Sequence, residues 1–464
     1  TGNGRDEWIY AYNGFDTINA QGGADRLYGG YGNDTLDGGD GNDELYGEMD
    51  DDKIFGGNGD DRLTGGDGAD YLDGGNGSDT YIVDDERDTI KDTGTDSGID
   101  TVIYRYVSDK YVMGDGIEKV VLPSFVSAKS LTVMGNQGSN NISTGDGNDA
   151  VMGGAGDDII YTASGNDKVE AGAGNDLIIG GDGAGDDIYD GGSGVDTVKF
   201  TSATDDITVD LSKGTATSTH GEDKAGIGSD QLSNIENIIG GHFNDQLIGD
   251  VADNTFTGEK GNDVIDGGSG RDIAVFKGKL EDYTINSSGS AIQITDKQSG
   301  RDGSDTLQSI ESFSFRDWDV DDLRGRVKLL KDSYGYGYAQ DATGKSSSIT
   351  DRDGTQWGDN TWSGWSLRGA ETVNGTNSSV WENRSGTLWV AEHDSNWAFK
   401  AGGSSGVTGS AGYFQIESNF NQDFNRDSIT GTPLITEESA GSIVLLKDSY
   451  GYGYAQDATG KSSS

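Results

Sequence analysis

Residues 29–46 read GGYGNDTLDGGDGNDELY, one nine-residue phrase written twice. In the form G1-G2-x3-G4-x5-D6-x7-U8-x9, with U apolar, position six falls at Asp16, Asp25, Asp34, Asp43, Asp52, Asp61, Asp70 and Asp79, with Asp6 as a looser first member. Position eight is Ile18, Leu27, Leu36, Leu45, Ile54, Leu63, Leu72 and Tyr81. A second block supplies Asp149, Asp158, Asp167, Asp176, Asp187 and Asp196, the last two after a two-residue insertion. A third supplies Asp245, Asp263 and Asp272, with Asn254 in an aspartate's place.

So short a period leaves few folds open. Three glycines in six residues permit a tight turn, because glycine reaches positive φ without a Cβ penalty. The remaining x-U-x is a short strand with one side chain pointing inward. Two turn-plus-strand units make one coil of a flattened parallel helix, with coils about 4.8 Å apart. Position-six aspartates two repeats apart, such as Asp34 and Asp52, then stack. Two carboxylates at that distance repel by roughly 3.5 kcal/mol at an effective dielectric near 20. Calcium–oxygen bonds are about 2.3–2.6 Å, so one ion fits between neighbouring coils, with turn carbonyls as further ligands. The 17 aspartates are therefore the candidate Ca²⁺ ligands.

This array resembles the RTX (repeats-in-toxin) family, whose nonapeptide is a calcium-binding parallel β-helix repeat. The resemblance implies a β-roll with calcium in its turns and secretion by a type I exporter. The expected fold is all-β: parallel β-roll blocks separated by β-strand segments, then a compact antiparallel β module.

Composition agrees with metal-dependent folding. The formal net charge is −48, and only 32% of residues are hydrophobic. Such values ordinarily mark disorder, but here the charge is periodic and a cation can neutralise it. The acidity argues against a nucleic-acid partner. No apolar run approaches the roughly 20 residues of a membrane span. With no cysteine, neither disulfides nor thiolate metal sites contribute. The chain begins at Thr1 without Met or signal peptide and reads as a processed or excised piece.

The domains expected are 1–134, a first roll block with a strand flank; 135–326, the second and third blocks with intervening β segments; 327–444, a tryptophan-rich module; and 445–464, the start of a duplicated module or an exchanged strand. Segments such as "DTVIYRYV" and "LSNIENIIG" alternate like strands and read as spacers that cap and divide the rolls, Thr197 and Val198 being placed to cover the second block. Six of the eight tryptophans, Trp357, Trp362, Trp365, Trp381, Trp389 and Trp397, fall within about forty residues. This region resembles the tryptophan-rich C-terminal domain of secreted cyanobacterial proteins. Its aromatics read first as core, with stacking on a surface polysaccharide as the second reading. "LLKDSYGYGYAQDATGKSSS" occurs at 329–348 and again at 445–464, either the start of a second module or a segment that completes a neighbouring molecule.

Catalytic signatures are weak. His220, His242 and His393 are far apart, and there is no HExxH. The G-x-S-x-G at Gly402–Gly406 reads as a linker without the strand–turn–helix a nucleophile elbow needs. The "EHDSN" at His393 and Asp394 reads as a turn lacking a nucleophile partner. Asp423, Asn425 and Asp427 form a minor EF-like calcium candidate. The sequence thus points to a non-enzymatic, extracellular, calcium-binding structural protein of a bacterial cell surface that self-assembles. Polysaccharide adhesion, or service as the export tail of an RTX enzyme or toxin, are the alternatives.

Overall fold

Strand register follows the spacing of paired repeats. Leu27 lies opposite Leu45, Leu45 opposite Leu63 and Leu63 opposite Tyr81, all in parallel strands. A second wall pairs Ile18, Leu36, Ile54 and Leu72 in the same way. Two nonapeptides therefore make one coil, one per wall. The position-eight side chains form the core between the walls, from Leu27 to Tyr81 with no exposed surface.

This computed structural model describes residues 1–464 except 96, 106–108, 123–129, 181–184, 222, 289–290, 317–318, 322–327, 332–336, 341–345, 351–355, 358–364, 374–375, 384–386, 396, 407–434, 441–442, 448–452, 458–461 and 464. It divides into two units, Thr1–Gln246 and Leu247–Ser464. Among the described residues the only helical element is one 3-10 turn, Leu280–Asp282.

From Arg26 to Asn76 the strands are six residues long, as in Thr35–Asp40 and Lys53–Asn58, rather than the expected three, which Thr17–Asn19 keeps. They run on through the first two glycines, so the turn is confined to G4-x5-D6. The fourth-position glycines are the tight spots. Gly59 has φ +131°, and a Cβ there would overlap the carbonyl oxygen of Gly41 on the coil below.

The spacer segments, expected to cap and divide the rolls, instead continue the stack in the first unit. Strands Thr80–Val83, Thr101–Tyr104, Lys119–Val121 and Asn141–Ser143 pair successively in parallel. Thr197–Lys199 is no cover either, because it pairs in parallel with Leu177–Ile179 on one side and Asn237–Ile239 on the other. After it the chain makes an antiparallel hairpin, Ile207–Asp210 with Thr215–Ser218, and returns as Ser229–Ser233 beside Ile188–Ser193.

The second unit repeats this plan. Val264–Asp266 pairs in parallel with Ser304–Gln308, which also closes an antiparallel hairpin of Tyr283–Ser288 and Ala291–Asp296. A cap does appear here. The last parallel strand, Ser312–Ser314, pairs antiparallel with Asp319–Asp321, followed by Lys328–Lys331, Gly337–Gln340 and Ser346–Ser348. Reversing strand direction covers the open edge that a parallel stack otherwise presents.

Beyond it, Trp365–Val373, Thr376–Asn383, Leu388–His393 and Phe399–Gly406 form an antiparallel meander. Trp357, Trp381 and Trp397 are buried in one cluster with Leu367 and Ala339, and Trp365 and Trp389 pack against it. Core packing is thus the role of these rings; Trp362 lies outside the described residues. Gly402–Gly406 belongs to the last strand of the meander and is not a linker. The duplicated segment makes the same hairpin twice, Leu330 opposite Tyr338 and Leu446 opposite Tyr454. Its second copy sits in a separate four-stranded sheet that starts at Ile435.

A Gly59→Ala change tests the turn. It forces a side chain into backbone that only glycine adopts easily, and should destabilise the calcium-loaded chain by about 1–3 kcal/mol in denaturant unfolding. An unchanged midpoint would mean that this turn has a different backbone.

Candidate metal centre

The coil geometry stacks the aspartates. Asp34 Oδ1 accepts the N–H of Asp16, Asp52 that of Asp34, and Asp70 that of Asp52, each at 2.7 Å. The opposite edge carries a second ladder in which Asp25, Asp43, Asp61 and Asp79 accept from Glu7, Asp25, Asp43 and Asp61 at 2.7–2.8 Å. In the second block Asp149, Asp167 and Asp187 form one ladder, and Asp158, Asp176 and Asp196 the other. Asp245 accepts from Ile207 and Gly241, and Asp272 accepts from Asn254. Asp263 donates its N–H to the carboxylate of Asp305. All 17 predicted aspartates therefore lie in the ladders. The EF-like trio Asp423, Asn425 and Asp427 lies outside the described residues.

Oδ1 carries the inter-coil backbone bond; Asp245 Oδ2 also accepts the N–H of Gly241 and Asp187 Oδ2 the hydroxyl of Tyr189. Oδ2 is buried and has no hydrogen-bond partner in Asp25, Asp34, Asp43, Asp52, Asp61, Asp70, Asp158, Asp167, Asp176 and Asp196. In Asp34, Asp43, Asp52, Asp61, Asp70, Asp158 and Asp196 the Oδ2 atom aims at the first glycine of its own repeat; Ala20, Thr162 and Ala171 hold that place before Asp25, Asp167 and Asp176. A Cβ on Gly29 would stand 2.7 Å from both Asp34 Oδ2 and the carbonyl oxygen of Gly47. The missing side chain leaves a cradle where carboxylate and carbonyl oxygens converge. A hard divalent cation taking six to eight oxygens suits that donor set, and a buried acceptor left unpaired costs about 1–3 kcal/mol.

Electrostatics point the same way. Burial, with repulsion from neighbouring carboxylates, raises the Asp43 carboxyl to about 6, Asp52, Asp70, Asp158 and Asp167 to about 7, and Asp61 to about 8. Without a counter-ion the folded roll favours the protonated acids.

Several ladder members escape the sequence reading. Glu7, not Asp6, holds the first rung; Asp6 sits one place earlier and accepts the N–H of Ala24. Counting nine back from Asp16 finds it. Asp88 and Asp100 accept from Asp70 and Asp79, and Glu118 accepts from Asp100. Asp88 keeps the period of nine from Asp79 but has lost the glycines. Position five also links the coils. Asn42 Oδ1 accepts the N–H of Asp60, and Asp60 that of Ser78, at 3.1 and 3.0 Å. Asn254 Oδ1 accepts the N–H of Asp250, so the amide oxygen is satisfied locally.

The histidines are placed differently from expectation. His220 comes together with Asp205 and Asp206, their ligand atoms within 4.8 Å of one another at the surface. His393 ends a strand rather than lying in a turn, and its Nε2 is 2.7 Å from Ser379 Oγ. This pair is sealed in the tryptophan core, where Trp381 Nε1 donates to Ser379 Oγ. Burial pushes the His393 imidazole down to about 4.

A parallel β-roll bearing two lines of buried aspartates defines a calcium-binding repeat protein. Residues 1–90 in four overlapping matches, 134–198 in three and 239–274 in one match the RTX calcium-binding nonapeptide repeat. Residues 327–431 match the tryptophan-rich Synechocystis species C-terminal domain. These segments are therefore similar to RTX nonapeptide repeats and to that C-terminal domain. No curated protein matches the chain. RTX repeats bind Ca²⁺ at multiple sites, and proteins that carry them are generally secreted. The β-solenoid is typical of non-enzymatic structural or toxin-type proteins.

Two pH responses of opposite sign follow. The raised aspartates make the metal-free roll bind more protons folded than unfolded, between the unfolded value of 3.8 and about 8. Its stability therefore falls as pH rises through that window. Chelated protein taken from pH 8 to pH 5 should gain β-strand circular dichroism; a loss would contradict the burial of these acids. His393 acts the other way. Its folded value of about 4 lies below the unfolded 6.5, so the stability it contributes is present above 6.5 and lost as pH falls through 4. Tryptophan emission of the calcium-loaded chain should stay blue to about pH 6 and shift red by pH 4. Blue emission that persists well below that range would speak against a neutral buried imidazole.

Proposed function

We propose that the chain is a calcium-folded structural protein of a bacterial cell surface, part of a surface layer, fibril or matrix, with the 17 position-six aspartates as its ion ligands. The observation that carries this reading is the repetition of a buried, partnerless carboxylate oxygen rung after rung. Each ion would join the aspartate of one coil to oxygens of the next, turning like-charge repulsion into the main cohesion of the stack. The protein supplies pre-stacked rungs, glycine-lined cradles and a thin aliphatic core that fixes the register. Calcium supplies two positive charges and a demand for oxygen ligands.

Folding is then coupled to location. Cytosolic calcium is too low to fill such sites, and the acidic chain stays extended for export. Extracellular modules typically bind in the range of about 10⁻⁴–10⁻³ M, so the chain folds outside, where ion binding drives folding. A protein whose skeleton is this metal suits load-bearing use at the surface. The twice-made hairpin of the duplicated segment offers a point of strand exchange between copies. The tryptophan faces are taken up by Trp357, Phe399 and His393 contacts, which favours scaffolding over adhesion by sugar stacking.

Circular dichroism and X-ray scattering of the full chain test the proposal. In millimolar calcium a β spectrum is expected; with chelator at neutral pH the roll's share of it should be lost while the radius of gyration grows toward the ~80 Å of an unfolded chain of this length. An unchanged spectrum and radius after chelation would refute it. Electron microscopy of native surface material with and without calcium tests the assembly.

A further inference from the structure

The two hairpins that leave the roll come back through the same words. Residues 228–236 read GSDQLSNIE and residues 303–311 read GSDTLQSIE, sharing G-S-D-x-L-x-x-I-E. Neither segment lies within a nonapeptide match. Each begins a strand that pairs in parallel with the roll on one side and antiparallel with the hairpin on the other.

The backbone repeats the nonapeptide turn. Gly228 and Gly303 have φ +69° and +90°, and a Cβ on either would overlap the carbonyl oxygen of Gly185 or Gly261, the same contact that Gly59 makes with Gly41. Asn234 and Ser309, at equivalent places, both take positive φ, +52° and +50°. The acids land on the ladders. Asp230 Oδ1 accepts the N–H of Asp187 at 3.1 Å, and Asp305 Oδ1 that of Asp263 at 2.9 Å. Glu236 and Glu311 accept from Asp196 and Asp272 at 2.8 and 3.0 Å.

A hydrogen-bond acceptor alone would not need a carboxylate here. Asparagine stands at two other ladder positions, 140 and 254, and spends its amide oxygen on the N–H of Asn136 or Asp250. Asp230 is 1% exposed, and its Oδ2 is buried with no partner. It also lies in a more acidic setting than a nonapeptide rung. Asp186 accepts the N–H of Ser229, and Asp223 accepts those of Ile227 and Gly228. An open cleft lined by Asn166, Asp186, Asp223, Gly228 and Ser229 lies at this turn.

We propose that Asp230 and Asp305 complete two further calcium sites, Asp187 with Asp230 and Asp263 with Asp305, that fasten the return strand of each hairpin to the roll. The inference rests on the nonapeptide aspartates being calcium ligands. Its consequence is that the ion closes the excursion. The paired acids are 43 and 42 residues apart, against 18 for nonapeptide rungs such as Asp34 and Asp52. A strand arriving after so long a detour can rejoin the stack in several registers, and the cation accepts only the one that sets an acid over Asp187 or Asp263. The G-S-D-x-L-x-x-I-E phrase is then a code for rejoining: a turn glycine, a rung for one ladder, a core residue, and finally a glutamate as rung for the other.

Asp230→Asn, Asp305→Asn and a nonapeptide control, Asp43→Asn, separate the possibilities in the full chain. Asparagine keeps Oδ1 as acceptor and changes only the second oxygen. Bound calcium is counted by equilibrium dialysis with elemental analysis at millimolar free calcium, and thermal unfolding is followed with calcium and with chelator. Each of the three variants should lose about one ion per molecule and part of the calcium-dependent rise in melting temperature. With chelator at pH 5, where the metal-free roll regains β structure, Asp230→Asn should be as stable as the parent, because asparagine keeps the Oδ1 bond to the N–H of Asp187; a variant that only broke the fold would lose stability in both conditions, which would overturn the proposal. Full ion counts in Asp230→Asn and Asp305→Asn, with a loss in Asp43→Asn, would overturn the two hairpin sites and leave the nonapeptide sites standing. Full counts in all three would bring down both readings.

Discussion

Parallel stacking at a fixed register places like upon like, and everything else in this molecule answers to that. A leucine over a leucine is favourable, and the position-eight column from Leu27 to Tyr81 is the result. An aspartate over an aspartate is not, yet the same register makes both. The fold cannot have one column without the other. One carboxylate oxygen is absorbed by the backbone N–H of the neighbouring coil, which aligns the rung. In ten of the rungs, from Asp25 to Asp196, the second oxygen finds no partner in the chain, and where a glycine leads the repeat no side chain stands in front of it. The repeat is thus built around a deficit that only a cation supplies.

Glycine serves this arrangement twice. At the fourth position it lets one turn rest on the carbonyl of the turn below, as Gly59 does on Gly41. At the first position it leaves the cradle into which Asp34 Oδ2 and the Gly47 carbonyl point. A side chain at Gly59 or Gly29 would meet the carbonyl oxygen of Gly41 or of Gly47, so both coils would have to give. Turn conformation and ion geometry are therefore one constraint.

The strict period makes much of this legible. All 17 aspartates fall in the ladders because position six is a geometric slot, and the aliphatic slot two residues later is equally fixed. Where glycines are lost the slot persists without its signature, at Asp88, Asp100 and Glu118. Asp6 resembles a rung because it is an aspartate, but the count of nine belongs to Glu7. The spacer strands alternate as caps do, and nothing local distinguishes a strand that ends a stack from one that continues it. Thr197–Lys199 continues, whereas Asp319–Asp321 ends, and the difference lies only in the direction of pairing. The tryptophan core is legible from the density of aromatics between turn residues. Ser379 as the partner of His393 is not, since fourteen residues and a strand reversal separate them.

The two kinds of core divide the labour. In the roll, aliphatic columns are thin and the acids demand metal, so order there depends on the medium. In the meander, Trp357, Trp381 and Trp397 with Leu367 bury large surface around one polar pair, and no carboxylate ladder intrudes among the described residues. Large aromatic burial is insensitive to calcium. A chain that joins the two can therefore lose its roll to chelation while keeping an ordered module, so that the stack and the C-terminal domain answer to different conditions.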